Sequence, residues 1–125
     1  MKIGVATDDQ VNITSHFGRA QGFMIYVIDK GSVVSQEFRP NSFTAHSQRM
    51  ESHGAGHHSH EPILAALRDC MAVIASGMGR RIYDDLCNAG IEAFITNETE
   101  CEKAAQLYLQ GKLINHPERG CDHNH

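Results

Sequence analysis

MAVIASGMGRRIYDDLCNAGIEAFIT, Met71 to Thr96, decides the fold. MAVIAS (Met71–Ser76) is a short apolar run, which reads as a strand buried on both faces. Gly77-Met78-Gly79 breaks the run and turns the chain. Beyond it, Ile82, Leu86 and Ala89 fall on one side of a helix, and Gly90 supplies the C-terminal stop. IEAFIT (Ile91–Thr96) is a second buried strand. Strand, helix and strand in so short a span require parallel pairing through a right-handed crossover.

Working outward, Pro62 suits the first turn of a preceding helix whose apolar face is Ile63, Leu64 and Leu67. Downstream, Asn97 with Glu100 reads as an N-cap arrangement for a last helix carrying Ala104, Ala105, Tyr108 and Leu109 and stopping near Gly111. The N-terminal part is different. KIGVA (Lys2–Ala6) is a β-prone run that stops at the polar turn Thr7-Asp8-Asp9. GFMIYVID (Gly22–Asp29) is apolar on both faces, as a central strand is, and Lys30-Gly31 is a tight turn into the returning strand SVVSQEFR (Ser32–Arg39). Polar Gln36 and Arg39, followed by Pro40, put that strand near the sheet edge. The expected fold is α/β: a mixed five-stranded sheet, in the order β-β-β-α-β-α-β-α, flanked by helices. Residues 1–111 are expected to form one domain, interrupted at 41–61 by a flexible His-rich loop that lacks apolar periodicity. Residues 112–125 are expected to be a polar, disordered tail containing Cys and His.

At 125 residues the chain is the size of one domain. The formal charge is −4 and the basic residues are scattered, which argues against nucleic acid as a partner. No apolar run approaches the ~18 residues of a membrane span, and the N-terminus lacks the apolar core of a signal peptide. A cytoplasmic protein is expected. The four cysteines, Cys70, Cys87, Cys101 and Cys121, form no C-x-x-C pair and read as reduced thiols. Cys70 and Cys87 read as small core residues.

Nine histidines are unusual for this length. Five (His46, His53, His57, His58, His60) lie in the long loop, three (His116, His123, His125) lie near the C-terminus, and His16 stands apart. Histidine-rich tracts suit borderline metals such as zinc, copper and nickel. The loop lacks the fixed pair spacing of a structural zinc site, so it reads equally as a metal-binding loop and as a solvated low-complexity segment. Cys121, His123 and His125 alternate in the tail, where a thiolate and imidazoles could chelate a metal or simply fray. Gly77-Met78-Gly79-Arg80-Arg81 joins a glycine turn, a helix N-terminus and two cations. That suits an anion, although Ile82 stands where a dinucleotide motif needs a third glycine; the other reading is a turn shaped only by backbone geometry. Asp8 and Asp9 could bind magnesium for phosphoryl or nuclease chemistry, or cap the turn they sit in, which is the simpler reading. On local chemistry His16 is a structural residue before it is a ligand.

Together these stretches resemble a known family. MKIGVATDD, SHFGRAQGFMIYVID, the hairpin, the variable loop and LRDCMAVIASGMGRRIYDDLCNAGIEAF are similar to the dinitrogenase iron-molybdenum cofactor biosynthesis family, the NifX-like domain also found at the C-terminus of NifB-type proteins. The resemblance runs from about Met1 to Gln110. It implies a ribonuclease H-like fold. It also implies a carrier, without catalysis of its own, for a preformed metal–sulfur cluster of iron–sulfur, iron–molybdenum or molybdenum–copper type; the orange protein, a relative, holds a cluster of the last kind. The family's His-Phe-Gly loop, in which a histidine is linked to cluster binding, maps onto His16, Phe17 and Gly18, with Arg19 adjacent. Its glycine turn maps onto Gly77, Met78 and Gly79, followed by Arg80. Phe17 and Met78 are expected to shield the guest from water. The metal-ligating candidates are then His16, His53, His57, His58, His60, Cys121 and His123. Expected partners are cluster donor and acceptor proteins, and the chain is expected to be a monomer or weak homodimer. Two competing readings remain: a simple zinc, nickel or copper binder using the His-rich loop and tail, and, by fold analogy, a metal-dependent nuclease.

Overall fold

The structure, a computed structural model, describes residues 1–17, 20–40, 64 and 66–116. Its elements follow the expected order: β1 (Lys2–Thr7), β2 (Gly22–Asp29), β3 (Ser32–Pro40), β4 (Ala72–Ala75), α1 (Arg80–Asn88), β5 (Glu92–Ile95) and α2 (Cys101–Leu109). The helix expected from Pro62 lies largely outside the described residues; of it, Leu64 and Ala66 are helical and residues 67–69 form a turn.

The five strands form one sheet in the order β3-β2-β1-β4-β5. β1, β4 and β5 are parallel, while β2 is antiparallel to both β1 and β3. β3 is the edge strand that Gln36, Arg39 and Pro40 suggest. Lys30 and Gly31 both have positive φ, 54° and 80°, as a two-residue hairpin turn of right-handed strands requires. Gly90 takes φ 83° just past α1, and the Ile91 N–H closes back on the Leu86 carbonyl at 2.9 Å. That is the glycine stop read from the sequence.

Side chains alternate across the sheet. Ala6, Phe23, Ile25, Val73, Ala75, Ala93 and Ile95 pack on the α1 face with Leu67, Ile82 and Leu86. Ile3, Val5, Met24, Tyr26, Ile28, Ala72 and Ile74 pack on the α2 face with Cys101, Ala104 and Ala105. The central strands are buried on both sides because each face has its own helix. Arg39 ties the edge strand to the chain that precedes β4: its guanidinium donates to the Ala66 carbonyl at 2.6 Å and to Asp69 at 3.1 Å.

Three expectations change. The last helix begins at Cys101, not after an Asn97 cap, and Glu100 at its N-cap makes no side-chain capping bond. The Cys101 N–H instead donates to the Val11 carbonyl at 2.8 Å, so a neighbouring loop serves the helix start that a local cap would have served. Cys87 is exposed rather than core, because it lies one residue, and therefore a third of a turn, beyond the inward-facing Leu86; the second buried cysteine is Cys101. The chain after Gly111 is not free from residue 112. Its residues 115 and 116 are bonded to the end of β5: Asn115 Oδ1 accepts the Ile95 N–H at 2.9 Å and the His116 N–H donates to the Ile95 carbonyl at 2.8 Å.

Candidate functional site

Because β1, β4 and β5 are parallel, the loops that follow them emerge at one edge of the sheet. From β1 the chain proceeds to β2 on one side, and from β4 to β5 on the other. The junction between β1 and β4 is thus the place where connections diverge, the usual position of a ligand crevice in an open α/β sheet. The Thr7–Gly22 and Gly22–Pro40 pairs put the start of β2 and the end of β3 at this same edge.

The loop after β1 is rigidly braced. Asp9 accepts the Val11 and Asn12 N–H groups at 2.8 and 2.7 Å and the Asn12 side-chain amide at 2.9 Å. These donors, led by the Asn12 backbone N–H, hold its carboxyl down to about 2. Asp8 accepts the Gln21 N–H at 3.0 Å, closing the loop's two ends. Both aspartates therefore organise the turn, the simpler of the two readings made from the sequence. The Thr7 hydroxyl, fully buried, donates to the Asn12 carbonyl at 2.6 Å. The Ile13 N–H donates to the Thr99 carbonyl at 2.8 Å, so the loop after β5 braces the loop after β1.

The loop then crosses to the glycine turn. Its Thr14 carbonyl accepts the Ser76 N–H at 3.2 Å. A β-carbon added at Gly77 would lie 2.8 Å from the Ser15 carbonyl oxygen, closer than real β-carbons come. Glycine at 77 is what lets the two loops touch. The next residue is His16, whose N–H donates to Thr14 Oγ1 at 3.2 Å and whose ring is exposed. The structure thus brings together the two stretches that carry the resemblance, the His16 loop and the Gly77–Arg81 turn.

Phe17 and Met78 do not form a wall around a guest. Both are buried in the α1-side core, and Phe17 packs against Phe23 with ring centroids 5.3 Å apart. They anchor the two loops from below. Gly79 is the N-cap of α1, with φ −68°, ψ 154° and no side-chain capping bond; the first turn holds no acidic residue and includes Arg80 and Arg81. A β-carbon at Gly79 would meet nothing within 4 Å. Its backbone conformation is open to any residue, so neither sterics nor dihedral strain demands glycine there. Glycine leaves a bare, positively polarised helix start facing open space, where an anion is favoured by about 0.3–1 kcal/mol per charge at an exposed helix end.

No thiolate serves this edge among the described residues. Burial pushes the Cys70 thiol up to about 12 and raises Cys101 as well. Cys87 sits near the far end of α1. Nor do the described residues contain a group of three or more His, Cys, Asp or Glu able to hold a metal ion. Gly18 and Arg19 lie outside the described residues, as do His53, His57, His58, His60, Cys121 and His123. Pro40, from which the His-rich stretch continues, stands at this edge. Sequence reasoning missed His116, which lies at the end of β5 with Asn97 Nδ2 3.3 Å from its Nε2. Its neighbour Asn115 donates to the Tyr83 hydroxyl in the first turn of α1 at 3.0 Å.

The family model described as dinitrogenase iron-molybdenum cofactor matches residues 1–111. An uncharacterised protein of Methanocaldococcus jannaschii is 31% identical over 113 residues, covering 90% of this chain and 89% of that protein. The FeMo cofactor biosynthesis protein NifB of Herbaspirillum seropedicae is 29% identical over 94 residues; the match takes in 72% of this chain and only 16% of NifB. Among solved structures, the apo form of the orange protein from Desulfovibrio gigas superposes with a TM-score of 0.64 at 21% identity, covering 92% of each chain. No helix among the described residues is long and apolar enough to cross a membrane.

Proposed function

The chain belongs to the dinitrogenase iron-molybdenum cofactor family, and from that premise we propose that it carries a preformed metal–sulfur cluster between a donor and an acceptor protein, without catalysis of its own. The observation that carries this reading is the contact of Gly77 with the Ser15 carbonyl. It brings Ser15, the neighbour of the exposed His16, onto the turn that leads into the uncapped, cation-bearing start of α1.

The chemistry of such a guest fits the site. Metal–sulfide clusters and thiomolybdates are anions, and the α1 N-terminus with Arg80 and Arg81 attracts anions. An imidazole at His16 binds a borderline metal atom or donates to a sulfide. With no accessible thiolate at this edge among the described residues, the cargo brings its own sulfide, as a preformed cluster does. Imidazole and backbone N–H groups hold it by contacts weaker than a full thiolate shell, and that suits release to an acceptor. The guest is of iron–sulfur, iron–molybdenum or molybdenum–copper type. We assign the architecture to the ribonuclease H-like class and the protein to the cytoplasm.

The test is reconstitution under exclusion of oxygen, once with ferrous iron and sulfide and once with tetrathiomolybdate and copper. The expected result is a coloured protein that keeps its metal through desalting, with His16→Ala lowering the amount retained. A colourless, metal-free protein after both treatments overturns the reading. The nuclease alternative loses its support here, because Asp8 and Asp9 are both engaged in holding the loop.

A further inference from the structure

We propose that residues 112–116 are a strap that shuts the free edge of β5, and that with the strap released this edge pairs antiparallel with β5 of a second copy of the chain. The inference goes beyond the carrier reading and does not depend on it.

β5 is the last strand of the sheet, with β4 on one side of it. The Glu92 and Thr96 N–H groups donate to the Met71 and Ala75 carbonyls on the β4 side, at 3.0 and 2.9 Å. Backbone groups of alternate residues in a strand point the same way. Residues 92, 94 and 96 therefore face β4, and the N–H and C=O groups of Ala93 and Ile95 face away from it. At Ile95 both outward groups are taken within the chain. Asn115 Oδ1 accepts the N–H at 2.9 Å, and the His116 N–H donates to the carbonyl at 2.8 Å. These two bonds stand where a neighbouring strand would make its own.

The strap is fastened to both helical layers. The Lys112 N–H donates to the Leu107 carbonyl of α2 at 2.8 Å, and Leu113 packs against the α2-side core. Asn115 Nδ2 donates to the Tyr83 hydroxyl of α1 at 3.0 Å, and Tyr83 packs against the α1-side core. Edge strands are templates for pairing with another chain, and proteins blunt or cover them. The opposite edge, β3, is blunted by its own residues: its register with β2 shifts between Val27 and Ile28, it carries Glu37 and Arg39, and it ends at Pro40. β5 carries no proline, and the residues whose backbone faces outward are the apolar Ala93 and Ile95. Its protection is the strap.

Self-complementarity fixes the occupant of the released edge. Antiparallel pairing about Phe94 sets Ala93 opposite Ile95 of the second copy, Ile95 opposite Ala93 of the second copy, and Phe94 opposite Phe94 of the second copy. The outward-facing residues thus meet each other and exchange ladder bonds, and the aromatic pair adds to them. Glu92 falls opposite Thr96, so no like charges meet. Such a contact is two-fold symmetric and closes at a dimer.

The experiment uses the full chain without metal. Asn115→Ala removes the acceptor for the Ile95 N–H, and adding His116→Pro removes the donor to the Ile95 carbonyl. His116→Gln changes the ring and keeps that donor. Sedimentation velocity over a wide concentration range reads the mass, amide hydrogen exchange by NMR reads Ala93 and Ile95, and thermal melts check folding. Wild type and His116→Gln should stay monomeric with a protected Ile95 amide. In the double variant at low concentration the Ile95 amide should exchange several-fold faster. At high concentration the double variant should dimerise, and the amides of Ala93 and Ile95 should gain protection. Asn115→Ala alone should shift the same way by less, and it decides the matter if the double variant does not fold. An unchanged Ile95 amide in Asn115→Ala overturns the strap. A double variant that stays monomeric, or that dimerises without protecting Ala93 and Ile95, overturns the pairing. A wild type that dimerises with protection of Ala93 shows the edge open despite residues 112–116 and overturns the proposal as a whole.

Discussion

The two glycines of the turn separate folding from binding. At Gly77 an alanine β-carbon would sit 2.8 Å from the Ser15 carbonyl oxygen and 3.4 Å from Ser15 Cβ. The first obstacle is backbone, so the braced loop after β1 must move by several tenths of an ångström. Overpacking of this kind costs about 1–3 kcal/mol. For a chain of this length each kcal/mol lowers the melting temperature by roughly 4 °C, so Gly77→Ala should melt about 4–12 °C below wild type. At Gly79 the added β-carbon meets nothing within 4 Å. Alanine is a poorer N-cap than glycine by about 0.5 kcal/mol, but it lowers the entropy of the unfolded chain by about 0.4–1 kcal/mol. These effects nearly cancel, and Gly79→Ala should melt within about 2 °C of wild type. Its effect should appear only on reconstitution, as a fall in retained metal, because the methyl group occupies the space left for the cargo. Thermal denaturation followed by circular dichroism, with metal analysis of the desalted protein, measures both. A Gly77→Ala melt equal to wild type refutes the contact between the loops. Undiminished metal retention by Gly79→Ala refutes the argument that glycine is kept there for a guest.

Other consequences are simpler to state. Leu86→Ala removes a fully buried side chain of the α1-side core and should cost about 2–5 kcal/mol, read by urea denaturation as a lower midpoint with unchanged slope. Asp69 lies between Arg39 and Lys2 at 3.1 Å from each, and the Arg39 hydrogen bond leads the effects that lower its pKa from 3.8 to about 2. Its contribution is complete above pH 3.8 and is lost as the pH falls through about 2; being partly exposed, it amounts to about 0.2–1 kcal/mol. The stability gap between wild type and Asp69→Asn should thus be full at pH 6 and close toward pH 2, as urea titrations at several pH values will show. In a Cys121→Ser background, a thiol reagent at pH 8 should label exposed Cys87 first and reach buried Cys70 and Cys101 only in denaturant, as peptide mass mapping will show.

Most of the architecture was legible because it rests on period and punctuation. The doubly apolar runs of β2, β4 and β5, the Lys30-Gly31 turn and the Gly90 stop each have a local physical cause. What the sequence concealed is tertiary. Asn97 with Glu100 satisfies a local capping pattern, yet the Val11 carbonyl takes up the Cys101 N–H from a distant loop, and Asn97 turns to His116 instead. His116 itself was invisible because its anchor is a backbone bond to Ile95, and backbone pairing at a sheet edge leaves no residue-type signature. The glycines of the Gly77–Gly79 turn were evident as a pair, whereas their different tasks depend on what a side chain would strike. The candidate site was half legible: the resemblance named His16 and the glycine turn, and the crossing of Thr14 and Ser15 onto Ser76 and Gly77 explains why they meet.

The edge geometry also supplies a test between the carrier and the simple metal binder. The His-rich residues 41–61 follow Pro40, which lies at the same edge of the sheet as the loop after β1. The two readings differ in which residues hold metal. Arg39 reaches the Ala66 carbonyl at 2.6 Å, so the chain on either side of the stretch comes within one side chain's length, and a linker of about eight Gly and Ser residues can replace residues 41–61. Shortening the connection from about 21 to about eight residues lowers the closure entropy by about 0.9 kcal/mol, and the variant should be slightly more stable than wild type in urea. In the carrier reading it keeps its cluster through desalting, while its capacity for loosely held zinc or nickel falls. In the binder reading it loses all metal, and His16→Ala in the full chain loses none. Retention measured on these two variants with the same tetrathiomolybdate–copper probe decides between them, since the carrier reading lowers retention in His16→Ala and the binder reading empties the variant without residues 41–61.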